Sequence, residues 1–378
     1  MAFPKHIAIL THFANLTDPR VERTRRHKLI DIVAVAICAV ISGAKSWEDI
    51  ARFGRGKKAW LERWLELPEG IPSQWTFMRV FQALRPDVLM DGVRNWLESV
   101  TGLLAGKVVA FDGKRHCGSA TKGKEALHMV SAWAADNHLL LGQQAVDGKS
   151  NEITAIPKLL EVLELTGAIV TIDAMGCQKT IAADIRAADA DYVLAVKENQ
   201  PTLYQAVSEA FLALVENDFA AEDVRRLTTV GTGHGRHERR EYTVLPAPRE
   251  LVHSGAWQDL QSIGMVLSIR TIGTQETVAI RYYISSLPPK VKAFANAVRG
   301  HWGIENSLHW VLDVTFAEDK SRIHKDHGPE NFGTLRRLAL MILKQDTSLK
   351  DSLRGKSVMA AYDERCLERI LTGFSRRF

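Results

Sequence analysis

The amino-acid sequence predicts an α/β protein: a mixed sheet with helices on both faces, preceded by an N-terminal helical domain and interrupted by a β-rich insertion. Three observations carry this reading. Up to about residue 95 the apolar residues keep helical spacing. Beyond Gly102, three short apolar runs come in succession and further runs then alternate with helical segments, which implies parallel crossovers. Between 222 and 289 strand signals crowd together, separated by Gly- and Pro-containing turns.

Taken in order, 29–41 is an almost wholly apolar run, shorter than the roughly 20 residues a bilayer span needs, and reads as a buried helix. Ser46 caps the next helix, with Glu48 and Asp49 favouring its first turn. A helix over 59–67 places Trp60, Leu61 and Trp64 on one face until Pro68, Gly70 and Pro72 break it. Ser73 opens another over 76–84, closed by Arg85-Pro86. This cluster reads equally as a DNA-binding bundle or as a packing or dimerisation module.

Residues 107–111 form a strand ending at Asp112-Gly113, and 127–135 with 139–146 form a hairpin about Asp136-Asn137-His138. Ser150-Asn151-Glu152 starts a helix to about Leu165, and 168–172 is a strand ending at Asp173. A helix over 180–188, a strand over 191–196 and a helix over 201–216 follow. The order β-β-β-α-β-α-β-α is that of a ribonuclease-H-like domain. Strands over 227–230, 239–245, 264–272 and 277–284 make the insertion, and a long helix covers 290–313. The expected division is a helical domain over 1–100, the first part of the α/β core over 101–221, the insertion over 222–289, the final core helices over 290–345 and a basic tail over 346–378.

The 378 residues are 46% hydrophobic and 25% charged, ordinary values for a soluble globular protein of two or three domains. The N-terminus MAFPKHIAILTHF lacks the features of an export signal, so a cytoplasmic, nucleoid-associated protein is expected, without a membrane partner. Cys38, Cys117, Cys177 and Cys366 are far apart and form no CxxC pair, which argues against a zinc finger or a disulfide framework. Net charge is only +5, yet from Lys320 onward 13 Lys/Arg face 7 Asp/Glu. Arg322, Lys325, Arg336, Arg337, Lys344, Lys350, Arg354 and Lys356 suit a phosphate backbone, or else a solvated helical face.

In an open α/β sheet, reacting groups collect beyond the carboxyl ends of strands. Asp112 and Asp173 each follow an apolar strand run, 61 residues apart. Each by itself also reads as ordinary structure, a turn at Asp112-Gly113 and a helix cap at Asp173. A third acid comes from the long helix, where His301, Glu305, His309 and Asp313 fall four apart on one face, beside an apolar stripe of Ile304, Leu308 and Val311. A histidine–glutamate network on the surface and a zinc site of His301, Glu305 and His309 are the alternatives there. Three carboxylates suit Mg²⁺ or Mn²⁺, commonly two ions about 3.5–4 Å apart that act on a phosphodiester.

The segments VVAFDGK, VTIDAMGCQ, YVLAVKENQPTL and VRGHWGIENSLHWVLDVTFAEDKSR resemble the DDE transposases of bacterial insertion sequences, in the branch containing the H-repeat-associated proteins. LTDPRVERTRRHKLIDIVAVAICAVISGA and IPSQWTFMRVFQAL are similar to that family's N-terminal helical region, so the resemblance spans nearly the whole chain. It implies that Asp112, Asp173 and Glu305 are the catalytic, metal-binding acids, with Mg²⁺ as cofactor and Mn²⁺ able to substitute. It further implies cleavage at terminal inverted repeats, transfer of the 3′-hydroxyl into target DNA, and a homodimer in the DNA complex. The insertion of related transposases helps hold the transposon end. The family's wider pattern places Tyr, Arg, Glu and Lys where this chain has Val298, His301, Glu305 and Leu312, so two phosphate-steadying cations are replaced. Lys114, Lys197, Asn199, Arg299, His301, Lys320 and Arg322 are the candidate DNA contacts. A domesticated, inactive DNA-binding protein and a simple nuclease are the competing functions.

Overall fold

The apolar N-terminal run folds, in a computed structural model that describes residues 5–100, 104–123, 125–146, 151–217, 224–233 and 235–372, as helix α1 (Leu29–Ile41). It is buried along almost its whole length. Its one charge, Asp31, accepts the Leu67 N–H at 3.0 Å, and burial raises its pKa. Helix α2 (Trp47–Gly56) begins where the Ser46 hydroxyl accepts the Asp49 N–H. The helix expected over 59–67 is much shorter. Helix α3 (Lys58–Leu61) ends early, and Leu67 takes a left-handed φ of 42° where its N–H meets Asp31. Helix α4 (Gln74–Ala83) starts at Ser73, whose hydroxyl accepts the Thr76 N–H, and α5 (Pro86–Val100) follows.

The α/β part runs β1 (Val108–His116), β2 (Leu127–Ala134), β3 (Leu139–Ala145), α6 (Glu152–Glu161), β4 (Ile169–Ile172), α7 (Lys179–Ala187), β5 (Asp191–Val196) and α8 (Pro201–Glu216). Then come β6 (Arg225–Gly233), β7 (Arg236–Pro246), the short α9 (Arg249–His253), β8 (Ser262–Ile272) and β9 (Gln275–Ser285). Helix α10 (Val291–Ile304) leads through a π turn at Glu305–His309 into α11 (Trp310–Val314). Helices α12 (Gly328–Gln345), α13 (Leu353–Tyr362) and α14 (Glu364–Thr372) complete the described chain.

The nine strands among the described residues belong to one mixed sheet in the order β3-β2-β1-β4-β5-β9-β8-β7-β6. Only the central β1–β4 and β4–β5 pairs are parallel. The β-rich stretch after α8 therefore extends the same sheet, through the antiparallel β5–β9 pair, instead of forming a second one. Alternation along the central strands divides the core. Val108, Ile169 and Val193 pack with Phe294, Ala297 and Val298 of α10. Val109, Val170 and Leu194 point the other way, into a cluster with Ile156 and Leu159 of α6 and Ile181 and Ile185 of α7. That second cluster continues without a break into α1, α4 and α12, and Asn331 of α12 donates to the carbonyls of Phe81 and Leu84. No helix among the described residues is long and apolar enough to cross a membrane.

The reading of the basic C-terminal segment is corrected in part, since Arg322, Lys325, Lys350 and Arg354 are exposed while others are not. Arg336, Arg337 and Lys356 are interior groups, 2%, 1% and 6% exposed, and offer no charge to a phosphate backbone. Lys356 donates to the carbonyls of Leu343 and Asp346, while Arg337 donates to Glu318 at 2.8 Å and also contacts His116. Lys344 lies over the Trp133 ring, and burial lowers its pKa to about 8. A residue count cannot distinguish a solvated cation from one that neutralises a buried carboxylate.

Burial alone would raise the Glu318 pKa, but the charges of Arg337, His116 and Arg336 overturn this and hold it at about 2, below its ordinary 4.5. Burial depresses His116 from 6.5 to about 3. Both folded values are lowered, so both contributions to stability are present above the ordinary values and are lost on acidification. Acid unfolding is expected to draw on His116 from about pH 6.5 downward and on Glu318 from about pH 4.5 downward. Glu318→Gln, which leaves Arg337 buried without its counter-charge, is expected to cost about 3–5 kcal/mol in urea unfolding at neutral pH. A loss under about 1 kcal/mol would show that the pair is not structural.

Candidate active site

The site forms where the parallel part of the sheet ends. Phe111 and Ile172 are the last partners of the β1–β4 pair, and the next residue on each strand is an aspartate. Asp112 is not at a strand end, as 107–111 had suggested. β1 runs on to His116, pairing Asp112 with Ser131 of β2, and Gly113 lies within the strand instead of a turn. Asp173 does leave its strand. Its Oδ1 accepts the N–H groups of Met175 at 3.0 Å and Gly176 at 3.3 Å, which shapes the loop leading to α7.

The third acid arrives on the long helix, which lies lengthwise along β1. Gly300 permits the approach, since a Cβ there would lie 2.7 Å from Cγ1 of Val108. From that contact the helix follows the sheet residue by residue. His301 Nδ1 is 3.2 Å from the Thr171 hydroxyl, His309 Nδ1 is 3.5 Å from Asp112 Oδ2, and Lys114 Nζ donates to Asp313 Oδ2 at 2.8 Å. His309 Nδ1 also lies 3.2 Å from Glu305 Oε2. The helix is not the uniform α-helix that a four-residue spacing assumes. At Glu305–His309 it widens into a π turn, with the Trp310 N–H reaching back to the Glu305 carbonyl. Such turns recur at functional sites.

Asp112, Glu305 and His309 each present a ligand atom, and these atoms lie within 4.8 Å of one another. This group differs from the His301, Glu305 and His309 trio that helical spacing also allowed. Burial first, then the negative charges of Glu152, Asp173 and Glu305, push the Asp112 pKa up to about 7. Burial lowers the pKa of both His301 and His309, which keeps the imidazoles neutral at neutral pH, and Nε2 of His309 is buried without a hydrogen-bond partner among the described residues. Crowded carboxylates beside neutral imidazoles make a site short of positive charge. The donor set therefore fits a divalent cation.

The candidate DNA contacts divide in two. Lys197, Arg299, Lys320 and Arg322 are exposed. Lys114 is only 9% exposed and lies between Asp313 and Asp319, its pKa raised because the hydrogen bond and charge of Asp313 outweigh burial. His301 faces Thr171, and Asn199 donates to the Ala174 carbonyl at 2.7 Å, tying the end of β5 to the loop after Asp173. Gln200 makes a similar tie to Cys177. Val298 and Leu312, which replace the family's Tyr and Lys, are core residues. Of two neighbours of Asp112, His309 was expected only in the alternative histidine–glutamate readings, and Glu152 was not expected at all. The signal for His309 was its place four residues beyond Glu305. Glu152 had only its position at the start of a helix.

Residues 75–342 match the family model described as the transposase DDE domain, and residues 10–97 match the model of the segment associated with it. "Putative transposase YncI" of Escherichia coli O157:H7 is 37% identical over 374 residues, covering 97% of this chain and 95% of that protein. "H repeat-associated putative transposase YhhI" of strain K12 is 37% identical over 372 residues, covering 97% and 98%. A shorter K12 protein, "Inactive transposase YbfQ", is 40% identical over 72 residues, 19% of this chain and 86% of that one. This chain belongs to the DDE transposase family of bacterial insertion sequences, in the branch that contains the H repeat-associated proteins.

A carboxyl whose folded pKa is raised costs stability once pH exceeds its unfolded value, and the full cost is felt above about pH 7 here. Asp112→Asn is therefore expected to stabilise the cation-free protein at about pH 8 by about 1 kcal/mol or more, with little effect near pH 4. Thermal melts in chelator at both pH values check this, and a destabilised variant at pH 8 would contradict the electrostatic account.

Proposed function

We propose that Asp112, Asp173 and Glu305 hold divalent cations, Mg²⁺ with Mn²⁺ able to substitute, and that the chain cuts DNA at the terminal inverted repeats of an element and joins the freed 3′-hydroxyl to target DNA. The observation that carries the proposal is the convergence of Asp112, Glu305 and His309, with Asp173 just beyond the end of the adjacent parallel strand and close enough to perturb Asp112. The ribonuclease-H-like order of the central strands supports it. When bound, two such cations would neutralise the carboxylates and assist the attacking and leaving oxygens of an in-line displacement at phosphorus.

The protein's own residues prepare that step. His309 stands between Asp112 and Glu305 and orients both carboxylates. Asn199 and Gln200 brace the loop that carries Asp173. Exposed Lys197, Arg299, Lys320 and Arg322 are the groups offered to DNA phosphates, in place of the family's Arg and Lys. Lys114 and His301 serve by positioning, one gripping Asp313 and the other Thr171. Handling two element ends calls for a homodimer in the DNA complex, and nucleoid DNA is the place of action.

One observation favours a second reading. The two basic positions of the wider family pattern are filled by His301, whose pKa is lowered, and by buried Leu312, which suits a DNA-binding protein that has lost catalysis. A single assay separates the readings. Wild type and Asp112→Asn are incubated with Mg²⁺ and a linear fragment bearing the element's ends. The proposal expects cleaved and strand-transferred products from wild type and a loss of at least about 10³-fold in the variant. Equal products from both would remove Asp112 from the site. Binding without cleavage in either Mg²⁺ or Mn²⁺ selects the second reading, and cleavage without joining selects a nuclease.

A further inference from the structure

The loop that leads into α1 concentrates positive charge far from the carboxylates in sequence. Residues 18–28, DPRVERTRRHK, carry five Arg and Lys against two Asp and Glu, in a chain whose whole excess is +5. Dense like charge favours a solvated, extended segment. Here some of the charges instead hold the loop in one shape. Arg20 donates to Asp18 through Nε at 2.9 Å and through a terminal nitrogen at 2.7 Å. It donates also to the His27 carbonyl at 2.7 Å, which closes the loop across seven residues. Arg25 donates to the carbonyls of Arg20 at 2.8 Å and Asp18 at 3.3 Å. Between these ties Glu22–Thr24 makes a single 3₁₀ turn, where the Thr24 hydroxyl donates to the Val21 carbonyl at 2.8 Å.

The cations of the loop therefore fall into two groups. Arg20 and Arg25 are turned to the loop's own backbone and to Asp18, and Lys28 pairs with Glu66. Arg23 and Arg26 are exposed and make no ion pair or side-chain hydrogen bond with another described residue. Glu22 is exposed with them, so the pair keeps an excess of positive charge. Two guanidinium groups on a fixed backbone bind phosphate with little further ordering, and each can donate two parallel hydrogen bonds to it. Helix α1, which follows, is buried along almost its whole length and offers no face to a partner. The loop before it does.

We propose that the loop 18–28 is a preorganised contact for the phosphate backbone of duplex DNA, with Arg23 and Arg26 as the contacting groups and Asp18 and Arg20 as positioning residues. The choice of DNA as occupant rests on the proposed function of the chain. Such contacts supply affinity and register without reading sequence.

Binding of the full-length protein to a short fluorescent DNA duplex of arbitrary sequence, without divalent cation and over a series of salt concentrations, tests this. The double variant Arg23→Gln, Arg26→Gln is expected to bind at least about 10-fold more weakly, with the slope of log affinity against log salt reduced by about 2. Arg249→Gln with Arg365→Gln removes the same charge from exposed positions elsewhere and is expected to stay within about 3-fold of wild type. Asp18→Ala makes the chain more positive, so charge alone gives tighter binding, whereas a loosened loop gives binding at least about 3-fold weaker. Asp18→Asn provides that reading if the alanine variant does not fold. Wild-type affinity and slope in the Arg23/Arg26 variant overturn the proposal, as does an equal loss in the Arg249/Arg365 variant. Equal or tighter binding by the Asp18 variant overturns it too. A loss confined to duplex RNA or to anionic lipid vesicles assigns the loop to a different partner and overturns it. In each of these cases wild type binds DNA and only this inference fails. If wild type does not bind the duplex, the underlying reading of the chain fails, and this inference with it.

Discussion

The lengthwise contact between β1 and the α10–α11 helix carries the site, because it joins two acids, Asp112 and Glu305, that are 193 residues apart in the chain. The contact is fastened at both ends. Gly300 lets the helix come close to Val108 at one end, and the Lys114–Asp313 pair holds the other. Behind that pair stands a wholly buried group, Glu318 with Arg337 and His116, contributed by the turn after α11, by α12 and by β1. A buried ion pair adds little over an apolar core of the same volume, yet losing one partner is severe. The network therefore specifies a position more than it adds net stability.

That position forces carboxylates together. Asp112 is held where burial and its acidic neighbours raise its pKa to about 7, a strain that a divalent cation would relieve. The same logic explains why much of the surrounding shell is inward-looking. His309, Lys114, Asn199 and Gln200 act on the acids or on the loops that bear them. Lys197, Arg299, Lys320 and Arg322 remain exposed to solvent.

Much of the fold was legible where a local signal decides it. Ser46, Ser73 and Asn151 cap helices at their hydroxyl or amide oxygen, and the apolar run 29–41 reads as the buried helix it is. Local signals failed where a distant partner wins. The helix over 59–67 ends at Leu61 because the chain turns to bring the Leu67 N–H to Asp31, a contact across 36 residues. The strands after α8 were legible as strands, but nothing in their alternation told that β9 would pair with β5 and extend the central sheet.

Three acids in strand and helix positions, the apolar faces beside them and the family motifs were determined by the sequence alone, because they depend on residue type and period. Which groups share the site was decided only by the tertiary structure. His309 lies 3.5 Å from Asp112, a contact between distant parts of the chain that only folding brings together. Arg337 went inward because Glu318 is there to meet it, and Lys356 because Asp346 is. Pairing of buried charge is a property of three-dimensional neighbours, and no count or period along the chain records it.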